Sequence, residues 1–204
     1  MSEKTTRRAV IRASLGAGLG LAGLSALFVA GGLKPKKEVT PESEPPKKGD
    51  LFVVAEGPDK GKVITVDLLP LGGPFVHAWP MDPKTKVIKN AERNNLAMLI
   101  RFNPGDYDEE TKRYTDQGVA AFSAICTHLG CTVSEWLADK KAFLCPCHKG
   151  IYDPRHGARV IGGPPPRPLP MLPVKVEGGK VVADGGFLSP VGPVGTLGVK
   201  GGWV

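Results

Sequence analysis

Two short segments of the chain combine cysteine and histidine in a way that could bind a metal centre. Box I is Cys126-Thr127-His128-Leu129-Gly130-Cys131, and box II runs from residue 145 to 152 and begins Cys-Pro-Cys-His. These boxes hold all four cysteines of the chain within 22 residues. Such clustering indicates that the cysteines act together, as metal ligands, as disulfides or as both.

Three kinds of site could use these residues. Structural zinc favours two cysteines separated by two to four residues, so a Cys-x-His pair suits it poorly. Two plain disulfides would leave His128 and His148 without a role. A binuclear iron–sulfur centre with two thiolates on one iron and two imidazoles on the other uses one cysteine and one histidine from each box.

The order of the ligands points to the third kind of site. Cys-x-His, 16 residues and then Cys-x-x-His resembles the Rieske iron–sulfur family. The extra cysteine in each box, Cys131 and Cys147, resembles the branch of that family found in quinol–cytochrome c reductases. The resemblance covers residues 119–175 in detail and the remaining layout in outline.

The resemblance implies a role for most residues of the boxes and for one later loop. It implies a [2Fe–2S] cluster, with Cys126 and Cys145 as ligands of one iron and His128 and His148 as ligands of the other. It also implies a disulfide between Cys131 and Cys147. Around the cluster, Leu129 is expected to exclude water, the Tyr152 hydroxyl to hydrogen-bond the sulfur of Cys126, and a proline loop at 162–168, including Pro164, to cover a third side. His148 is also expected to accept the hydrogen bond of the quinol.

One position departs from the family pattern. Many members carry Gly-Ser after the second histidine, and the serine donates to a bridging sulfide, whereas this chain has Lys149 and Gly150. A missing donor near the cluster implies a lower reduction potential. The resemblance then favours a menaquinol-type electron donor.

The composition and the residue runs predict a mainly β fold. With 27 Gly and 20 Pro, a helical bundle is disfavoured and short strands joined by many loops are favoured. Runs of β-branched or aromatic residues predict strands at 51–55, 62–69, 96–102, 119–125, 132–136, 142–144, 173–177 and 180–183. We expect a Rieske-type antiparallel β-sandwich over residues 51–204, with a loop-rich cluster-binding subdomain at about 124–170.

The N-terminal quarter of the chain predicts export and a membrane anchor. Arg7-Arg8 within residues 1–12 resembles a twin-arginine signal. Residues 13–33 carry no charge and as a helix would span ~31 Å, enough to cross a bilayer. Residues 34–50 contain four prolines and no apolar periodicity, which predicts a hinge linker. We expect a single-pass protein of the inner (plasma) membrane with its head on the outer, periplasmic side.

These features predict a subunit that moves electrons. The expected partners are quinol, a b-type cytochrome subunit and a c-type cytochrome, in a complex that is expected to be dimeric. The net charge of +7 is spread along the chain without an aromatic-interleaved patch, so nucleic-acid binding is not expected. The alternatives are the small Rieske subunit of an exported molybdenum oxidase such as arsenite oxidase, a Rieske oxygenase component and a non-redox β-domain.

The remaining histidines and the tryptophans have no place in the boxes. His77 and His156 are predicted to be ordinary surface or loop histidines. Trp79, Trp136 and Trp203 are predicted to pack in a core or an interface.

Overall fold

The computed structural model describes residues 39–193 of the 204-residue chain. The predicted twin-arginine region, the predicted anchor, residues 34–38 of the predicted linker and Trp203 lie outside the described residues. Within residues 39–193, no helix has both the length and the apolar composition needed to cross a membrane.

Short strands dominate the described part of the chain. The strands are β1 (Leu51–Val54), β2 (Val76–Met81), β3 (Ala97–Arg101), β4 (Val119–Ser123), β5 (Glu135–Leu137), β6 (Ala142–Cys145), β7 (Gly150–Asp153), β8 (Arg159–Gly162), β9 (Met171–Leu172), β10 (Val174–Glu177) and β11 (Lys180–Ala183). One short α-helix, α1, is Glu109–Lys112, and 3₁₀ turns lie at Pro41–Ser43, Val66–Leu68, Arg93–Asn95, Pro104–Asp106 and Pro154–His156.

The strands form two antiparallel sheets. Seven strands make the larger sheet in the order β10-β11-β1-β2-β3-β4-β9, and four make the smaller one in the order β5-β6-β7-β8. Box II forms the hairpin turn between β6 and β7, and box I lies on the connection from β4 to β5. The mainly β prediction is confirmed, and the predicted loop-rich insert contains a sheet of its own.

The larger sheet is buried on both faces, because its central strands are apolar at successive positions. On β3, Met98 belongs to one hydrophobic cluster and its neighbour Leu99 to the other. The first cluster includes Phe143 of the smaller sheet and also Cys126 and Cys145. Each buried side chain of this size contributes roughly 1.5–3 kcal/mol. The first cysteine of each box, Cys126 or Cys145, is therefore part of the packed core.

The strand predictions were confirmed where the apolar runs were long. They were wrong where a segment forms isolated β-bridges and no continuous strand pairing. Residues 62–69 form single bridges at Val63 and Thr65 and a 3₁₀ turn. The strand expected at 132–136 lies instead at Glu135–Leu137. The sequence missed β2, in which Pro80 interrupts the strand pattern, although Pro80 pairs with Phe52 of β1.

The predicted linker is wrong for its described part, residues 39–50, which we call the neck. The buried side chains of Asp50 and Lys89 form an ion pair of 2.6 Å. Asn95 Nδ2 donates to the carbonyl of Glu44 at 2.7 Å, and the amide of Gly49 donates to the head at 2.8 Å. The neck packs through polar and backbone groups. The lack of apolar periodicity in its sequence therefore did not indicate that it is a free linker. A hinge within residues 34–38 stays a prediction.

Candidate metal centre

Box I is a tight loop closed by its own backbone. The amide of Cys126 donates to the carbonyl of Cys131 at 2.8 Å, and the amide of Gly130 donates to the carbonyl of Cys126 at 3.0 Å. A bridge between Ile125 and Thr132 closes the base of the loop. These bonds hold His128 at the turn of the loop.

Box II is the turn of a β-hairpin. Cys145 at the end of β6 pairs with Gly150 at the start of β7, which leaves residues 146–149 as the turn. Lys149 has a φ of 58°, a left-handed conformation that is uncommon for residues other than glycine. This turn presents His148 at the surface.

The predicted disulfide between Cys131 and Cys147 is confirmed, and it ties the two boxes together. Their Cα atoms are 6.6 Å apart, within the range that a disulfide spans. The sulfur of Cys145 lies within 4.8 Å of both disulfide sulfurs. Because the other two sulfurs are bonded to each other, Cys145 is the free thiol of that group.

The four predicted ligands lie at the two facing loops. Cys126 and Cys145 are free and buried, and the Cys145 thiol contacts the Cys126 thiol. The rings of His128 and His148 are perpendicular, with centroids 4.7 Å apart. The Nδ1 atom of His128 is buried and has no hydrogen-bond partner among the described residues. Burying a ring nitrogen without a hydrogen-bond partner costs free energy. Coordination of a metal ion would give this nitrogen a partner.

The two buried thiols also suit a metal centre electrostatically. Burial raises the pKa of the Cys145 thiol, and the neighbouring Cys126 raises it further. In the protein alone, this thiol therefore keeps its proton near neutral pH. A bound cation would reverse that preference, because a coordinating thiol is deprotonated. The residues present fit an iron–sulfur cluster held by two thiolates and two imidazoles.

Tyr152 supports box I from β7. Its hydroxyl is 3.2 Å from the sulfur of Cys126, and the amide of Thr127 donates to it at 3.3 Å. Burial, followed by the nearby Cys126, raises the pKa of Tyr152, so the phenol keeps its proton. When Cys126 is a thiolate, the hydroxyl is then the donor. The structure places Tyr152 where the sequence predicted it.

The proline loop packs on box II and reaches box I. A Cβ atom on Gly163 would overlap the backbone of Lys149 and Gly150, so this approach requires glycine. Thr127 Oγ1 of box I donates to the carbonyl of Arg167 at 2.7 Å. Sequence reasoning missed Thr127 and Arg167, because a backbone carbonyl leaves no signature in the residue types.

Two residues predicted to cover the cluster are themselves exposed. Leu129 is 60% exposed, and Pro164 is also exposed, whereas the neighbouring Pro165 is buried. Pro165 lies against Gly150: a Cβ atom on Gly150 would be 2.6 Å from Pro165 Cγ. The structure thus assigns the close contact in the proline loop to Pro165.

The remaining histidines and the described tryptophans have structural partners. The surface prediction is wrong for His77, which is buried on β2 and contacts Glu56 Oε1 at 2.7 Å and the carbonyl of Val133 at 2.8 Å. His156 lies in a 3₁₀ turn, as a loop histidine, and contacts Asp153 at 2.8 Å. Both described tryptophans pack against the first hydrophobic cluster, as predicted; they are Trp79 and Trp136.

Comparison with known proteins gives consistent matches. Residues 77–173 match the Rieske [2Fe-2S] domain family. A Haloferax mediterranei protein named as a candidate Rieske subunit of a respiratory nitrate reductase is 44% identical over 100 residues, which are 48% of this chain and 44% of that protein. The cytochrome bc1 complex Rieske iron-sulfur subunit of Mycobacterium tuberculosis is 32% identical over 223 aligned positions, covering 92% of this chain and 52% of that protein.

A solved structure gives a further match. A chain of a hyperthermophilic respiratory Complex III is 27% identical, with 85% of this chain and 98% of that chain covered, at a TM-score of 0.39. The present chain spans about half the length of the first curated relatives that it matches.

Proposed function

Since this chain belongs to the Rieske [2Fe–2S] family, we propose that it is the electron-transfer subunit of a cytochrome bc-type complex. In this role it takes electrons from quinol and passes them to a c-type cytochrome. The long alignment with the Mycobacterium tuberculosis bc1 subunit, over 92% of this chain, supports that choice of complex.

One observation carries the assignment of the ligands. The disulfide-linked boxes carry two buried free cysteines and two histidines whose ring centroids are 4.7 Å apart, and one of those histidines has a buried nitrogen without a partner among the described residues. Cys126 and Cys145 would bind one iron, and His128 and His148 the other. When bound, the cluster supplies a one-electron acceptor, and its imidazole ligands place its potential between roughly −150 and +300 mV.

The protein's own residues would then bind the donor and move its proton. His148 is exposed at the turn of box II, whereas His128 is half-buried. The outward ring nitrogen of His148 can accept a hydrogen bond from a quinol hydroxyl and take its proton. Leu129, which follows His128 in box I and is 60% exposed, offers an apolar contact to a membrane-embedded partner.

The proposed donor is a menaquinol. Gly150 has no hydroxyl to donate to a bridging sulfide, and a hydrogen bond of that kind favours the reduced, more negative centre. Its absence lowers the potential and matches a low-potential quinol. Buried Pro165 occupies the space next to Gly150, which supports this inference because a larger side chain would not fit there unchanged.

The proposed setting is the outer side of the plasma membrane. A disulfide between the boxes is expected in an oxidising compartment. The complex would be dimeric, with a b-type cytochrome subunit and an N-terminal helix as the anchor. Residues 1–12 would supply the export signal and residues 13–33 the anchor.

The cluster is tested on the full chain purified in mild detergent. We expect a red-brown protein with two irons per chain by elemental analysis, as the [2Fe–2S] formula requires. The reduced form should give the low-average-g electron paramagnetic resonance spectrum of a mixed cysteine and histidine centre. A colourless protein loaded with zinc would exclude the proposal.

The choice of complex is tested by purifying the chain with its native partners. Haems of b and c type and a quinone should copurify, and menaquinol should reduce the c-type haem. A second candidate, favoured by the 44% identity to the Haloferax protein, is a Rieske subunit of a respiratory reductase or of a molybdenum oxidase. Copurification with a large molybdopterin subunit in place of the haems would establish that candidate.

A further inference from the structure

The last described residues cross over to box I. The side chain of Phe187 is buried, and the amide of Leu188 donates to the carbonyl of Met171 at 2.8 Å. We call residues 187–193 the C-terminal strap. After Leu188 the strap leaves the larger sheet.

The far end of the strap lies against both sides of the box I loop. A Cβ atom on Gly192 would lie 3.4 Å from Cγ2 of Ile125, the residue before Cys126. A Cβ atom on Gly130 would lie 3.4 Å from Cδ of Pro193. Both spacings are van der Waals contacts, so the strap forms a wall of the box I loop.

Arg167 fastens this strap. Its Nη2 atom donates to the carbonyl of Pro190 at 2.6 Å and to the carbonyl of Gly192 at 2.5 Å. Its own carbonyl accepts the hydrogen bond from Thr127 Oγ1 at 2.7 Å. One residue of the proline loop therefore bonds box I through its backbone and the strap through its side chain.

We propose that Arg167 is a positioning residue that clamps the C-terminal strap against box I and so holds a fixed positive charge near that box. The backbone of Arg167 is linked to the sulfur of Cys126 by a short chain of hydrogen bonds: its carbonyl accepts from Thr127, which follows Cys126 in the chain, and the Tyr152 hydroxyl joins Thr127 to that sulfur. A guanidinium stays charged at all ordinary pH values. Adding an electron makes the proposed cluster more negative, so this charge stabilises the reduced state.

Half-burial of the guanidinium agrees with this role. Burial lowers the pKa of the Arg167 guanidinium. The bond from this group to the carbonyl of Gly192 places it where the strap contacts Ile125, the residue before Cys126. The clamp is independent of the cluster, whereas its effect on reduction rests on the ligand assignment proposed above.

The clamp is tested by chymotrypsin cleavage of the full chain in detergent, measured by mass spectrometry at Phe187 and Leu188. Arg167→Met keeps the aliphatic stem and removes both hydrogen bonds to the strap. Cleavage of a locally opened segment follows its opening equilibrium. We expect cleavage about tenfold faster in this variant, intermediate in Arg167→Lys, and unchanged in Arg159→Met, in which an exposed arginine of β8 is replaced.

The charge is tested on the same proteins by poising them at one ambient potential. The ratio of reduced to oxidised cluster should fall about threefold in Arg167→Met, which corresponds to about 28 mV for one electron. Arg167→Lys keeps a positive charge and should keep the ratio close to that of the unmodified protein. A merely structural arginine would not separate these two variants in this way.

Three results decide the proposal. Unchanged cleavage in Arg167→Met overturns the clamp. Faster cleavage with an unchanged ratio overturns the role of the charge. A chain that binds no cluster contradicts the proposed function instead, and the cleavage experiment still tests the clamp in that iron-free protein.

Discussion

Box I and box II offer the same two ligand types from loops that differ in exposure. Cys126 and Thr127 of box I are buried and His128 is half-buried, whereas residues 147–149 of box II are all exposed. Box I is held from several sides, by Tyr152 and by the carbonyl of Arg167. Box II is held mainly at its base, by the pairing of Cys145 with Gly150.

This difference suggests a division of roles. The supported loop can fix the position of the centre, while the exposed turn can meet a partner. The disulfide joins the two loops, so the rigidity of box I also constrains box II. Substitutions in box I should therefore act on retention of the cluster, whereas Lys149, the exposed residue of box II that is neither a proposed ligand nor part of the disulfide, should tolerate change.

The largest expected effect is a contrast between one position in each box. Cys126→Ser replaces a proposed thiolate ligand with a hydroxyl that does not ionise near neutral pH, so we expect the chain to lose nearly all its iron. Lys149→Gly should retain the iron, because glycine adopts the left-handed φ of 58° more readily than lysine. Iron content and the visible absorption spectrum measure both. Iron loss in Lys149→Gly would contradict the tolerance expected at this position.

The second effect tests the bond between the boxes. Replacing both disulfide cysteines, Cys131→Ala and Cys147→Ala, should lower the free energy of unfolding by about 3 kcal/mol, as expected for a closed loop of roughly 15 residues. The sequence separation here is 16. Denaturant unfolding followed by tryptophan fluorescence gives the difference. An unchanged unfolding midpoint would mean that the hydrogen bonds within box I hold the loops without the disulfide.

The third effect tests the support of box I from β7. Tyr152→Phe removes the hydroxyl 3.2 Å from the Cys126 sulfur. That hydrogen bond is stronger to the more negative, reduced centre, so its loss should favour the oxidised state by roughly 1–1.5 kcal/mol. The reduction potential should fall by about 45–65 mV, since ~1.4 kcal/mol corresponds to about 59 mV for one electron.

A matched control exists for that measurement. Tyr107 is also buried and donates to the carbonyl of Gly118 at 2.9 Å, outside both boxes. Tyr107→Phe loses a hydrogen bond of similar kind, so it should reduce stability and leave the potential unchanged. Equal shifts of the potential in the two variants would attribute the effect to general loosening of the fold.

The sequence predicted the chemistry of the site better than its supports. Cysteine and histidine are rare and their spacing is informative, so the two boxes were visible in the sequence, and the family resemblance that they carry implied the disulfide and the role of Tyr152. Thr127 and Arg167 act through contacts between segments about 40 residues apart, and a single sequence gives no sign of such contacts. The same limit explains the neck, where the partner of Asp50 is Lys89, 39 positions later in the chain.

The fold was predictable where burial alone decides the structure. β3 and β4 are neighbouring interior strands of the larger sheet, and their apolar runs predicted them. β7 begins at Gly150 and β8 ends at Gly162, and glycine at a strand end gives no strand signal. Those two strands pair with each other in antiparallel fashion across the 3₁₀ turn at Pro154–His156.

The smallest expected effect concerns Gly150, the position at which many members of the family carry a serine. A serine there would place a hydroxyl near the proposed bridging sulfide, which should raise the potential. Gly150 is outside the left-handed region, so backbone strain is not the obstacle. The obstacle is Pro165, whose Cγ would lie 2.6 Å from the new Cβ. Displacing a ring in a packed loop costs about 1–3 kcal/mol and moves the hydroxyl away from its target.

Gly150→Ser alone should therefore destabilise the protein and shift the potential by less than about 15 mV, a quarter of the ~59 mV that one decade represents. Gly150→Ser combined with Pro165→Ala removes the overlap and should raise the potential by about 40 mV, or ~1 kcal/mol in favour of the reduced state. Pro165→Ala alone is the control, and the four proteins form a double-mutant cycle. Protein-film voltammetry at one pH gives each potential. If the double variant matched Pro165→Ala, the hydroxyl would not reach the sulfide, and the menaquinol proposal would lose the argument drawn from Gly150.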